Sequence, residues 1–159
     1  MSVAYWLGRK ATPQKQRHRV FVVRAADPLW AGGELEVRDD LEYITANLIP
    51  RVDPGRVCLV NLSEDNDRMT LTAISNQLIA WGPKEWRSET LPATARTKFH
   101  EWIKELLREI ADEPESTVIV IVSRSSFDIW LNHVKWEDPI DKESQILEIM
   151  SPSRLISVA

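Results

Sequence analysis

The sequence predicts an α/β domain in which helices pack on a mixed β-sheet. Two apolar segments, VCLVNL at 57–62 and TVIVIV at 117–122, are typical of strands buried on both faces. Between them, residues 99–110 carry apolar side chains at helical spacing. Buried strands that alternate with helices need crossover connections, so part of the sheet is expected to be parallel.

The amino-terminal part of the chain predicts three strands, at residues 3–7, 17–26 and 34–38. A polar connector with glycine and proline separates the first two, and the Asp-Pro and Gly-Gly turn signals of DPLWAGG separate the second from the third. Strands that follow one another through short turns favour an antiparallel meander.

The pattern then changes to helical spacing. Asp39 or Asp40 suits the start of a helix that Pro50 ends. The fourth strand follows at 56–62, and a second helix ends near Gly82, before an irregular segment that contains Trp86.

The carboxy-terminal half predicts a long helix over about residues 92–111 and a fifth strand at 117–122. Phe127, Trp130 and later apolar residues then indicate a helix that Ser125 or Ser126 would cap. A last helix is expected around 141–150, and a short strand at 155–158. The complete order is β-β-β-α-β-α-α-β-α-α.

This order of elements resembles the ribonuclease H-like fold, and a Rossmann-like layout is the other arrangement it suggests. The resemblance implies carboxylates that hold paired divalent metals, one of them on the first strand. That strand, VAYWL, contains no acid. The remaining catalytic candidates are Asp65, Asp67 and Asp128, with Mg²⁺ as their cofactor. Because this set is incomplete, the sequence favours a protein that is not an enzyme and that has no cofactor.

Length and composition indicate one domain over residues 1–159, with 151–159 as a candidate flexible tail. With 43% hydrophobic and 28% charged residues, the chain is typical of globular proteins. Neither a membrane-spanning run nor a secretory signal is expected, and the single cysteine, Cys58, suits a buried strand rather than a disulfide. These features predict a cytoplasmic protein without a membrane partner.

Charge is distributed unevenly along the chain. Residues 1–24 carry a net charge of +6 and no acid, whereas the remaining residues hold 14 basic and 24 acidic side chains, a net of −10. Such a segment suits a phosphate backbone or an acidic protein surface, although lysine and arginine also protect exposed strand edges. The basic residues are Arg9, Lys10, Lys15, Arg17, Arg19 and Arg24.

Three predicted strands turn polar where they end. Arg24 follows VFVV, Asn61 follows VCLV, and SRSS follows VIVIV. If the strands are parallel, their carboxyl ends meet at one edge, where Arg24, Arg124 and Ser125 form an anion pocket. If the first of them is antiparallel, Arg24 lies at the opposite edge.

Seven tryptophans are many for a chain of this length, and Trp30, Trp86 and Trp136 lie in or beside predicted loops. They suit either anchors for a partner or lids on the core. The sequence contains no metal-binding pair of histidines or cysteines and no phosphate-binding glycine loop. We therefore expect a small binding or accessory module in a complex, associated with nucleic acid through its basic segment. A metal-dependent nuclease or phosphoesterase and a pure protein–protein adaptor are the alternatives.

Overall fold

The computed structural model describes residues 19–25, 42–52, 57–62, 76, 80, 86–90, 98–111 and 117–158. Six strands lie in these ranges: β1 (Arg19–Ala25), β2 (Val57–Leu62), β3 (Trp86–Thr90), β4 (Thr117–Ser123), β5 (Ile146–Ser151) and β6 (Arg154–Ser157). The helices are α1 (residues 42–47), α2 (Phe99–Glu109) and α3 (Arg124–His133), and a 3-10 turn over Ile49–Arg51 follows α1.

The strands form one mixed sheet in the order β3-β2-β4-β1-β5-β6. The first four of these are parallel, whereas β5 is antiparallel to β1 and β6 is antiparallel to β5. Every residue of β4 is buried, because parallel strands flank it and helices or loops cover its faces. The predicted α/β class with a mixed sheet is therefore confirmed.

Each face of the sheet has its own apolar core, because successive side chains of a strand point in opposite directions. Val20 and Val22 of β1 pack with α2 and α3 on one face. Phe21 and Val23 pack on the other face with Ile44 and Leu48, from α1 and the residue that follows it. The sheet thus has helices on both sides, α2 and α3 on one face and α1 on the other.

Two predicted elements are wrong. The segment around Trp86, predicted to be irregular, is the edge strand β3. Because an edge strand pairs on one side only, it can have a polar sequence such as WRSET. The segment 141–150, predicted as a helix, instead contains a turn and β5, because hydrogen bonds to β1 decide how its apolar run folds.

The cap of α3 also differs from the prediction. The helix begins at Arg124, and its N-cap is Ser123 rather than Ser125 or Ser126. The chain passes from β4 into α3 without a loop, so the last hydroxyl of the strand takes the capping position.

Several predicted elements lie outside the described residues: the strands at 3–7 and 34–38, the start of the 92–111 helix, and most of the second helix, of which residues 76 and 80 are helical. The carboxy-terminal residues 154–157 form β6, close to the short strand expected there. None of the helices in the described part of the chain is long and apolar enough to cross a membrane.

Candidate anion-binding crevice

The topology of the sheet creates a crevice at the carboxyl ends of β1 and β4. These strands are parallel neighbours, and Arg24 is in register with Val122, just before Ser123 and α3. Among the described residues, the helix that next follows β1 is α1, which packs on one face of the sheet, and α3, which follows β4 directly, packs on the other. Ligands of open α/β sheets bind at such a point, where adjacent connections diverge.

Arg24 is held in position at the rim of this crevice. Its Nη1 and Nη2 atoms donate to the carbonyl oxygens of Lys142 and Glu143, each at 3.4 Å. Its guanidinium carbon lies 5.9 Å from the centre of the Phe127 ring. The connector before β5 and the first turns of α3 therefore both orient the guanidinium.

The second wall of the crevice is one face of α3. Arg124, Asp128 and Asn132 follow at intervals of four residues, so they lie along one side of the helix. The Lys142 ammonium donates to Asn132 Oδ1 at 3.0 Å and joins this face to the connector. The crevice encloses about 380 Å³, and the described residues that line it are Arg24, Arg124, Asp128, Leu131, Asn132, Lys142 and Glu143.

Three cationic and two acidic side chains line the crevice, so its net charge is about +1. Arg124 is exposed, and no hydrogen bond or ion pair joins its side chain to another described residue. The partial positive charge of a helix N-terminus adds to that of the guanidinium groups. An anion with several oxygen acceptors fits this arrangement, because guanidinium groups bind such oxygens in pairs.

A buried hydroxyl caps the helix N-terminus beside the crevice. Ser123 Oγ accepts from the Ser126 N–H at 3.3 Å and bonds Ser126 Oγ at 3.1 Å. Ser125, which the sequence suggested as an anion ligand, is the second residue of α3. The backbone N–H of Ser126 is occupied by the cap.

Arg19 lies at the other end of β1, roughly 17 Å from Arg24 at about 3.3 Å per residue. Its Nε and Nη2 atoms form a two-point ion pair with the Glu148 carboxylate, both at 2.9 Å. Its Nη1 donates to the carbonyl of Arg51 at 2.6 Å. The structure thus brings Arg24 and Arg124 together and places Arg19 apart from them, in contacts that join β1, β5 and the 3-10 turn.

The other predicted basic residues, Arg9, Lys10, Lys15 and Arg17, lie outside the described residues. So do Asp65 and Asp67, whereas Asp128 lines the crevice. In the part of the chain that the structure describes, no three His, Cys, Asp or Glu side chains lie close enough to hold a metal ion.

Of the three predicted anchor tryptophans, Trp136 is the one whose contacts are defined. Its indole N–H donates to the Leu131 carbonyl at 2.9 Å, and its ring meets Trp130 edge-on at 5.1 Å. The ring covers the edge of the core beneath it. Trp86 lies in the edge strand β3, and Trp30 lies outside the described residues.

Three polar lining residues, and the apolar Leu131, were not among the predicted site residues; the polar ones are Asn132, Lys142 and Glu143. The spacing of Asn132 from Arg124 and Asp128 shows that the three share a helix face, so this residue was within reach of sequence reasoning. No local signal marks Lys142 or Glu143, because the connector reaches the crevice only after β5 pairs with β1.

Comparisons with known proteins do not identify a family. The chain matches no protein-family model, and neither curated proteins nor solved structures show a significant match to it. The proposals below therefore depend on the geometry and charges of the described residues.

Proposed function

We propose that this protein is a binding module that holds a phosphate group of a nucleic acid in the crevice between β1 and β4. The observation that carries the proposal is the position of Arg24 and Arg124 on one rim, at the carboxyl ends of neighbouring parallel strands.

Arg24 and Arg124 have different parts in this proposal. The carbonyl groups of Lys142 and Glu143 orient Arg24 before a ligand arrives, which lowers the entropy lost on binding. The exposed Arg124 closes on the phosphate from the start of α3. Asp128 and Glu143 keep the net charge of the crevice low and disfavour binding of anions that cannot reach both guanidinium groups.

The basic amino-terminal segment supplies the second part of the proposal. Its charge of +6 without any acid suits further contacts along a phosphate backbone. Each neutralised phosphate makes binding more sensitive to salt, so the salt dependence of the affinity reports how many such contacts form.

The test uses fluorescence anisotropy with a labelled single-stranded oligonucleotide and a labelled duplex, measured over a series of salt concentrations. Arg124→Glu is expected to weaken binding by at least about tenfold, since it removes one charge-assisted contact and introduces repulsion. Arg108→Glu is the matched control, because Arg108 is an exposed arginine on α2 outside the crevice. Equal affinities of the two variants would contradict the role of the crevice.

A Lys10→Glu and Arg17→Glu double variant separates the two parts of the proposal. Loss of binding in this variant but not in Arg124→Glu would assign nucleic-acid binding to the amino-terminal segment alone. If no salt-dependent binding is found, a protein–protein adaptor becomes the better proposal. Loss of a co-purifying partner on Trp86→Ala would support that proposal.

A metal-dependent phosphoesterase or nuclease with a ribonuclease H-like layout is the second candidate. It is favoured by Asp128 on the crevice rim and by the parallel pairing of β2 with β4, because β2 ends at the same edge, three residues before Asp65 in the sequence. Mg²⁺-dependent hydrolysis of a phosphodiester that Asp128→Asn abolishes would support this candidate. Hydrolysis that survives both Asp128→Asn and Asp65→Ala would exclude the proposed site.

A further inference from the structure

A second and larger cavity lies on the opposite flank of α3. It encloses about 760 Å³ between α2, α3 and the turn that joins β5 to β6. Ser126, Ile129, Trp130 and His133 of α3 line it, and none of them lines the crevice described above. The volume lies in the range of small-molecule sites, about 300–1,000 Å³. We call this cavity the α2–α3 groove.

The floor of the α2–α3 groove is aromatic and held by hydrogen bonds. Phe99 and Trp130 meet edge-on at 5.2 Å and are both buried. Trp130 Nε1 donates to His100 Nδ1 at 3.1 Å, and the neighbouring Trp136 Nε1 donates to the Leu131 carbonyl at 2.9 Å. The Nδ1 atom of His100 is therefore an acceptor, and its bond fixes the indole of Trp130.

The wall of the groove exposes an apolar side chain. Ile129 is 69% exposed, although α3 buries its other large apolar residues, Phe127, Trp130 and Leu131. This side chain lies at the mouth of a cavity whose aromatic floor is buried. A ligand that covers it would remove apolar surface from water, which favours binding.

The rim of the groove is cationic. Lys98, Lys104 and Lys135 line it, whereas Glu101 is the one acid among the described lining residues. Glu101 pairs with Lys104 at 3.1 Å. Within the described residues, Lys98 and Lys135 form no ion pair. Two ammonium groups beside an apolar floor therefore face solvent without a defined counter-charge.

We propose that the α2–α3 groove binds a small amphipathic organic anion, an aromatic or long-chain carboxylate or sulfonate. Its apolar body lies on Trp130 and Ile129, and its head group meets the ammonium groups of Lys98 and Lys135. His100 Nδ1 accepts the indole N–H of Trp130, so the histidine positions the floor. The site is separate from the proposed phosphate crevice, so either can fail without the other.

The test compares two fluorescent probes with similar aromatic bodies. Anilinonaphthalene sulfonate carries the anionic group, and N-phenylnaphthylamine lacks it. The full-length chain is expected to bind the sulfonate at one site and at least about tenfold more tightly than the neutral probe, with quenching of tryptophan fluorescence. Dodecanoate is expected to displace the sulfonate.

Ile129→Glu is expected to weaken binding of both probes at least tenfold, because it places an acid against the apolar body and the head group. Ile156→Glu is the matched control, since Ile156 is an exposed isoleucine on β6, outside the groove. Lys135→Gln should weaken binding of the sulfonate about two- to fivefold and leave the neutral probe unchanged.

Thermal unfolding of each variant shows that the fold is intact, since the sulfonate also binds partly unfolded proteins. Equal binding of the two probes, or equal effects of Ile129→Glu and Ile156→Glu in folded protein, would overturn the proposal.

Discussion

Replacing Glu148 with methionine would remove the carboxylate on β5 that pairs with the Arg19 guanidinium on β1. The two residues are 129 positions apart in sequence, and two bonds of 2.9 Å join them across neighbouring antiparallel strands. The side chains are 35% and 16% exposed, so the pair is half-buried. A double-mutant cycle with Arg19→Met measures the energy of this interaction alone, because the bond from Arg19 to the Arg51 carbonyl is lost in both arms that lack Arg19.

The expected coupling energy lies between two known limits. Exposed ion pairs contribute about 0.2–1 kcal/mol, whereas breaking a buried pair costs about 3–5 kcal/mol. Two-point geometry and partial burial place the coupling of Arg19 with Glu148 at about 1–2 kcal/mol. With a urea m-value of about 2 kcal/mol/M, a loss of this size in Glu148→Met should lower the midpoint of unfolding by roughly 0.5–1 M.

The assay is equilibrium urea unfolding of the wild type, both single variants and the double variant, followed by tryptophan fluorescence. Urea is preferred to guanidinium because it does not screen charges. A coupling energy below about 0.3 kcal/mol would refute the reasoning. It would mean that the ion pair does not stabilise the contact of β1 with β5.

Three further predictions concern α2, α3 and their packing. Ser123→Ala should destabilise the fold by about 0.5–2 kcal/mol in urea unfolding, because it removes the cap of α3; Ser126→Ala keeps the backbone N–H that this cap binds and should cost less. Phe127→Ala should lower the free energy of unfolding by about 3–5 kcal/mol, since Phe127 is fully buried. Ile129→Ala, at a site 69% exposed, should change it by less than about 0.5 kcal/mol. Similar losses of stability in the two variants would contradict the packing of α3. Burial lowers the pKa of His100 below its ordinary value of 6.5, so the contribution of His100 to stability is complete above pH 6.5 and is lost as the pH falls through the folded pKa. The difference in Tm between the wild type and His100→Gln should therefore shrink or reverse as the pH falls below 6.5. A Tm difference that stays constant with pH would exclude this linkage.

Elements with a strong local pattern were predictable from the sequence. The run VIVIV in β4 and the apolar stripe of α2 each follow from contiguous residues whose spacing matches one kind of secondary structure. The apolar run of β5, Ile146 to Met150, suits either a buried strand or a helix. Its hydrogen bonds to β1 select the strand, and no local property of those residues determines that pairing.

The candidate site was also predictable only in part from the sequence. The sequence by itself determined that Arg24 and Arg124 each lie where an apolar run turns polar, because that change is local. Only the tertiary structure decided that these strands are parallel neighbours, although 100 residues separate Arg24 from Arg124. It also placed Lys142 beside Asn132 and set Arg19 at the other end of β1, against Glu148. The physical reason is that strand pairing and the packing of connectors depend on contacts between distant segments, whereas periodicity depends on neighbours along the chain.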